Sequence, residues 1–292
     1  MPNDMAELFI DSQNSLGEGP LWHPGRQQLF WFAIHDGELF AASTQGEIEG
    51  NWSFGEPAAA AGIIDDNALA VATASGLYRL DLASGAKSLI VSIEENDPLT
   101  RTNDSRVGPG GGFWIGTMAR SEKTPSGSVY HFRHGKLTRI KSGIYIPNAT
   151  SFSPDGTIAY FADTPDGLIL KCPIDPQTAM PTGDFTLFRD TRGEPGHPDG
   201  AVVDSEGYVW NARYGGGSVI RYTPAGEIDR IIEVPVPNTT CPAFGGPDLK
   251  TLYITTAHQQ MSDADRARFP LSGSVFKIEL DIAGQAEIPV AL

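Results

Sequence analysis

Short apolar runs broken by turns rich in Pro, Asp and Gly recur along the whole chain. "LWHPGRQQLFWF", "GIIDDNALAVAT", "RVGPGGGFWIGT", "SFSPDGTIAYFA", "VVDSEGYVWNAR" and "AFGGPDLKTLYIT" each place a turn between two runs of β-branched or aromatic residues. That pattern predicts a β-hairpin, because the turn residues supply the backbone angles and the flanking side chains suit a pleated, half-buried surface. Aligned on Gly25, Asp66, Gly110, Asp155, Glu206 and Asp248, the hairpins are spaced by 41, 44, 45, 51 and 42 residues. A second strand pair follows each of them, as in "GELFAAS", "GLYRLDLASG", "GSVYHFRHG", "LILKCPIDP", "GSVIRYTPAG" and "GSVFKIELD". Four strands repeated six times predict an all-β, six-bladed β-propeller, each blade burying its faces against its neighbours around a central channel. Helical periodicity is nearly absent, and "AHQQMSDADRARF" at 257–269 reads as a surface loop interrupting the last blade. No linker divides the chain, so residues 1–292 are expected to form one propeller domain, with the strand "AELFIDSQ" completing the last blade and closing the ring.

Composition narrows the function classes. The chain has 292 residues, 40% hydrophobic and 20% charged, with 33 Gly and 22 Pro, enough to bury a full core and to make many tight turns. A formal net charge of −15, with Lys and Arg scattered, would repel a phosphate backbone, so no nucleic-acid partner is expected. No apolar run approaches the roughly 18 residues of a membrane span, so no membrane partner is expected either. "MPNDMAELFI" lacks the basic and apolar regions of a secretory signal, which points to a cytoplasmic location. Cys172 and Cys241 stand far apart in sequence, outside any CxxC or Cys/His cluster, and are expected as buried, reduced thiols. There is no GxSxG elbow, HExxH helix or Walker loop, and "GPGGGF" lacks the last Gly of GxGxxG.

Register converts the repeat into a candidate site. Seven residues before each aligned turn stand Glu18, Ala59, Asn103, Asn148, Asp199 and Cys241. Four of these six are Glu, Asp or Asn, which core strands rarely carry. Equivalent positions on the innermost strands of a propeller form a ring at one mouth of the channel. Two carboxylates and two carboxamides there offer hard oxygen donors, which suit one divalent cation such as Ca2+, Mg2+ or Mn2+, with Zn2+ also possible. His197, two residues before Asp199, is the histidine expected nearest that mouth.

The motifs "LGEGPLW" (16–22), "RTND" (101–104), "FWIGTM" (113–118), "IPNATSFSPDG" (146–156), "HPDGAVVDSEGYVW" (197–210) and "AFGGPDLKTLYITTA" (243–257) occur in this order over nearly the whole chain. Together they resemble the gluconolactonase family that includes regucalcin, or senescence marker protein. The resemblance implies a six-bladed propeller with one divalent metal at the channel mouth and hydrolysis of a sugar lactone. By motif it places the metal ligands on Glu18, Asn148 and Asp199 and substrate contacts on Arg101 and Asn103. Two departures stand out: Ala149 follows Asn148 where relatives commonly have Gly, and "ARSEK" follows "GTM" where many relatives place an acidic residue.

Water attack on a lactone carbonyl develops an oxyanion, which a divalent cation stabilises as a Lewis acid. Asp199 is the candidate general base, and Arg101 and Asn103 are the candidates for holding the ring. Arg120, beside the neutral Ser121, is expected at the sugar end of the pocket, where a guanidinium would favour a lactone bearing an anionic group. Two alternatives stand beside this reading: a metal-dependent propeller hydrolysing phosphotriesters or aryl esters, and a non-catalytic calcium-binding propeller. The oligomeric state is not legible.

Overall fold

The structure, a computed structural model, describes residues 4–292. Its twenty-four strands form six four-stranded sheets, as the repeat predicts. The innermost strands are Gly17–His23, Ala58–Asp65, Thr100–Val107, Pro147–Phe152, His197–Val203 and Thr239–Gly245. Five blades are built from consecutive strands. The sixth takes its outermost strand, Glu7–Ile10, from the other end of the chain, with Glu7 opposite Lys277 and Leu8 opposite Phe276. The ring is therefore closed by hydrogen bonds between residues more than 260 positions apart.

Second strands such as Gln28–Ala33 and Ala68–Thr73 are buried at every position, because each blade is packed between two others, and they read as continuous apolar runs. Outer strands such as Ile48–Ser53 stay largely exposed. Aromatic pairs join neighbouring blades: Trp114 meets Phe152 edge-on at 5.5 Å, Trp210 meets Phe244 edge-on at 5.7 Å, and Trp22 stacks on Tyr253 at 6.0 Å. Cys172 and Cys241 are free and buried. Among the described residues no helix is long and apolar enough to cross a membrane.

Each inner strand carries a register shift at its mouth end, between Glu18 and Leu21, Ala58 and Ala60, Thr102 and Ser105, Asn148 and Ser151, Pro198 and Ala201, and Thr239 and Pro242. A bulge leaves a residue unpaired and re-aims its side chain, so the same local defect occurs at all six ring positions. Its backbone demands are visible in the first blade, where Gly19 has φ +54 and an added Cβ would lie 2.2 Å from the Ala59 carbonyl oxygen. In the fourth, Ala149 takes φ +57, the left-handed region in which a Gly would be unstrained.

The interruption at 257–269 is more ordered than a surface loop. The amides of His258 and Gln259 both donate to the Ser15 carbonyl, at 3.1 and 2.8 Å, which pins this stretch to the mouth of the channel. A short helix, Asp263–Arg268, follows, with Ser262 Oγ accepting from the Asp265 amide. Acidic residues fill its first turn and Arg266 and Arg268 its last, complementing the helix dipole.

At the opposite end, residues 283–291 cross the channel. Ser205 donates its amide to Ala283 O, Gln285 Nε2 bridges the carbonyls of Phe152 and Val203 at 3.0 Å each, and the Val290 amide donates to Ile63 O. These partners lie toward the C-terminal ends of the inner strands, whereas Glu18, Asn148 and Asp199 lie near the N-terminal ends.

Candidate active site

A cavity of about 220 Å3 opens at the mouth formed by the N-terminal ends of the inner strands. Glu18, Arg101, Asn103, Asn148, His197 and Asp199 all line it. Residues spread over about 180 sequence positions thus share one wall, because blade register places them there. Ala59 and Cys241, at the same register, do not line the cavity.

A hydrogen-bond chain fixes the polar half. Arg101 Nη1 donates to Asn103 Oδ1 and to the Thr102 carbonyl, both at 2.8 Å. Asn103 Nδ2 donates to Pro147 O at 3.0 Å and to Asn148 Oδ1 at 3.3 Å. Asn148 Nδ2 donates to Thr164 Oγ1 at 2.7 Å, and Thr164 Oγ1 donates to Pro198 O at 2.9 Å, next to Asp199. Asn103 is therefore oriented by the next blade and Asn148 by Thr164 of its own blade, and Asn148 keeps its oxygen on the Asn103 side. Both N–H groups of the Asn103 carboxamide are engaged by the protein, so its main contribution is to hold Arg101 and Asn148. Arg101 spends one guanidinium nitrogen on this chain, which leaves the rest of its fork for the cavity.

Glu18 and Asp199 are 5% and 6% exposed and line the same cavity. Burial, reinforced by the negative charge of Asp104, pushes the Glu18 carboxyl up to about 8, although the Gly19 amide, which donates to it at 3.0 Å, works the other way. Burial, and then the charges of Glu18 and Asp104, raise Asp199 well above the usual carboxylate range. Burial lowers Arg101 to about 10, against the pull of Glu122, Glu18 and Asp199. Along the channel, leaving aside the half-buried Glu122 at the rim and the neutral Cys241 thiol, the buried charged groups are four carboxyls (Glu18, Asp104, Asp199 and Glu287) and two guanidiniums (Arg101 and Arg106). With all six ionised the sum is −4 + 2 = −2, the charge that one divalent cation cancels. Buried charge without compensation is costly, so both the donor chemistry and the charge balance fit such an ion. Among the described residues no group of three or more His, Cys, Asp or Glu is arranged to hold a metal. The candidate set has two carboxylates and completes itself with the carboxamide of Asn148.

Arg120 and Ser121 are exposed and lie outside the cavity lining. Arg120 folds back, its Nε donating to Thr100 O at 2.9 Å. The cavity is lined instead by Glu122, whose φ of +60 turns the chain inward after Ala119 and Arg120. The acidic residue that seemed absent after "GTM" is thus supplied slightly later in the chain. Across the mouth Gln260, also at φ +60, donates Nε2 to Glu122 Oε2 at 3.1 Å. Gln259 is fixed by His35 Nε2 at 2.8 Å and by the Tyr214 hydroxyl, which donates to its carbonyl at 3.3 Å. Glu122, Tyr214, Gln259 and Gln260 are among the wall residues that sequence register does not reveal, as is Thr164.

Known proteins match this chain over nearly its full length. Residues 16–258 match the model of the SMP-30/Gluconolactonase/LRE-like region. The chain is 34% identical to an L-arabinolactonase of Azospirillum brasilense, covering 98% of this chain and 95% of that protein. It is 32% identical to a 6-deoxy-6-sulfogluconolactonase of Pseudomonas putida, covering 98% of both. Its structure superposes on the crystal structure of a calcium-binding protein, regucalcin, from Agrobacterium tumefaciens with a TM-score of 0.95 and 37% identity, covering 98% of this chain and 97% of that one. The chain belongs to the SMP-30/gluconolactonase/LRE-like family.

Proposed function

We propose that this protein hydrolyses a sugar lactone to the open-chain sugar acid with the help of one divalent cation held by Glu18, Asn148 and Asp199. The observation that carries the reading is the pair of buried carboxyls, Glu18 and Asp199, facing one cavity beside an oriented carboxamide and a guanidinium. The relatives named as lactonases and the calcium-binding neighbour support it. A cation bound there supplies positive charge opposite the oxyanion that develops at the lactone carbonyl.

The chain's own residues do the rest. Asp199 takes the proton of the attacking water, with its neighbouring backbone fixed by Thr164 and by Asn211 Nδ2, which donates to Asp199 O at 2.8 Å. Arg101 presents its free N–H groups to ring oxygens and is held still by Asn103. Glu122 and Gln260 offer an acceptor-rich wall to hydroxyl groups at the far end of the ring. The cavity, at about 220 Å3, is smaller than the roughly 300–1,000 Å3 of drug-sized sites, which suits a single sugar ring. Arg120 does not line the cavity and Glu122 adds a negative charge to its wall, which favours a neutral aldonolactone, while the relative named a 6-deoxy-6-sulfogluconolactonase keeps an acid-bearing lactone as the competing substrate.

The test is a panel of neutral and acid-bearing lactones, with a phosphotriester and an aryl ester alongside, assayed on chelator-treated protein and after adding back Ca2+, Mg2+, Mn2+ or Zn2+. Lactone turnover restored by a cation is the expected result. Turnover of the phosphotriester or aryl ester alone would replace the reading, and stoichiometric cation uptake with no turnover of any substrate would reduce the protein to a binding propeller.

A further inference from the structure

The segment crossing the far end of the channel brings a charge with it. Glu287 forms an ion pair with Arg106 Nη1 at 3.0 Å, with side chains only 14% and 13% exposed. Arg106 stands on the third blade's inner strand two residues after Asp104, and Asp104 is buried with Oδ2 accepting from the Thr150 amide at 2.7 Å. Asp104, Arg106 and Glu287 bound one small void, together with Gly19 and Cys241, of about 10 Å3, room for about one water. That void lies between the carboxyl pair at the mouth and the crossing segment. Asp104 is near enough to both Glu18 and Asp199 to act on their charge. Arg106 in turn is close enough to act on Asp104.

Two buried anions flank one guanidinium here, Glu287 in direct contact and Asp104 across the shared void. With Glu287 in place, Arg106 is neutralised from below and the charge of Asp104 remains directed at the mouth. If the Glu287 charge is lost, Arg106 is left to cancel Asp104, and the channel sum falls from −2 to −1. A guanidinium in a poorly solvated interior takes whichever anion is available.

We propose that residues 283–291 are part of the cation site at a distance: by closing the channel and engaging Arg106 through Glu287, they keep Asp104 uncancelled and so strengthen cation binding at Glu18, Asn148 and Asp199. Glu287 and Arg106 act here as positioning residues, through charge and without touching the substrate. The inference rests on the reading that those three residues hold the cation.

Calorimetric titration of chelator-stripped full-length protein with Ca2+, repeated with Mn2+, tests it. Glu287→Gln keeps the shape and a hydrogen-bond acceptor for Arg106, and it is expected to weaken cation affinity by on the order of tenfold or more, as one buried charge is removed. Arg106→Met combined with Glu287→Leu removes both charges, restores the sum to −2, and is expected to return affinity to within about threefold of wild type. A purely structural role predicts the reverse order, with the double variant the weaker binder, and that result overturns the proposal. Unchanged affinity in Glu287→Gln, in protein that loses cation binding on Asp199→Asn, also overturns it while leaving the three-ligand reading intact. Wild type that takes up neither ion removes both.

Discussion

The inner strands of the second and third blades occupy the same place in neighbouring repeats and carry the same bulge, yet only one has chemistry. In the second, Ala58–Asp65 presents Ala59 at the ring position, packed in an apolar cluster with Leu16 and Leu21. In the third, Thr100–Val107 places Arg101, Asn103, Asp104 and Arg106 along the channel, each with a hydrogen-bond or ion-pair partner. Backbone geometry is thus repeated six times, and the blades differ in which of them put oxygen or guanidinium at the bulge. A charged blade is tolerated only because other charges answer it.

The largest effect should come from removing a charge from the chemical wall. Asp199→Asn keeps the size and one oxygen but deletes the basicity, so lactone turnover is expected to fall by ~10²-fold or more, the scale of a lost general base. Steady-state kinetics at saturating cation decides it, and near-normal kcat would take the base role from Asp199. Arg101→Ala comes next. Loss of a charged hydrogen-bond donor to the ring should cost roughly 10- to 100-fold in kcat/KM, while cation affinity holds or tightens, since a buried positive charge has gone. A variant that instead loses its cation would show that the hydrogen-bond chain through Asn103 to Asn148 shapes the ligand set more than Arg101 touches the substrate.

A smaller effect separates the carboxyl pair from the silent blade through pH. The folded-state pKa of Glu18 is raised, from 4.5 to about 8, and that of Asp199 is raised as well. Between the unfolded and folded values the native state holds more protons than the unfolded one, so stability declines as pH rises through that window. Cation-free protein should therefore lose on the order of a few °C in Tm between about pH 5 and pH 8. Saturating Ca2+ should flatten or reverse the slope, because the ion answers the same charges. A cation-free Tm that rises over this range would mean that the two carboxyls are already compensated.

Most of the fold and half of the wall are legible in the sequence for one reason. A hairpin repeated every 41 to 51 residues fixes register, and register alone singles out Glu18, Asn103, Asn148 and Asp199. What escapes comes from segments with no period. Glu122 and Gln260 reach the cavity through left-handed backbone at non-glycine residues, which no turn signal announces. Gln259 arrives because two amides share the Ser15 carbonyl, and Glu287 because a strandless segment is threaded across the channel. The sense of a loop depends on single φ angles, whereas the sense of a strand is carried by many residues at once.

The smallest effect concerns the rim, and it sharpens the contrast between a residue's position in sequence and its place in space. Arg120 is exposed, lies outside the cavity, and makes one side-chain hydrogen bond, to a backbone carbonyl. Arg120→Ala should therefore change kcat/KM for a neutral aldonolactone by less than about twofold, the ordinary range for a surface substitution, and should leave the preference between neutral and acid-bearing lactones where it was. Glu122→Gln is the informative partner. It keeps an acceptor for Gln260 but removes the negative charge from the wall, so KM for the neutral lactone should rise a few-fold while the acid-bearing lactone is used better than before. Measured together, the two variants assign the charge of that wall to one residue. If Arg120→Ala moves the preference and Glu122→Gln does not, the guanidinium turns inward when substrate binds, and an anionic lactone returns as the preferred substrate.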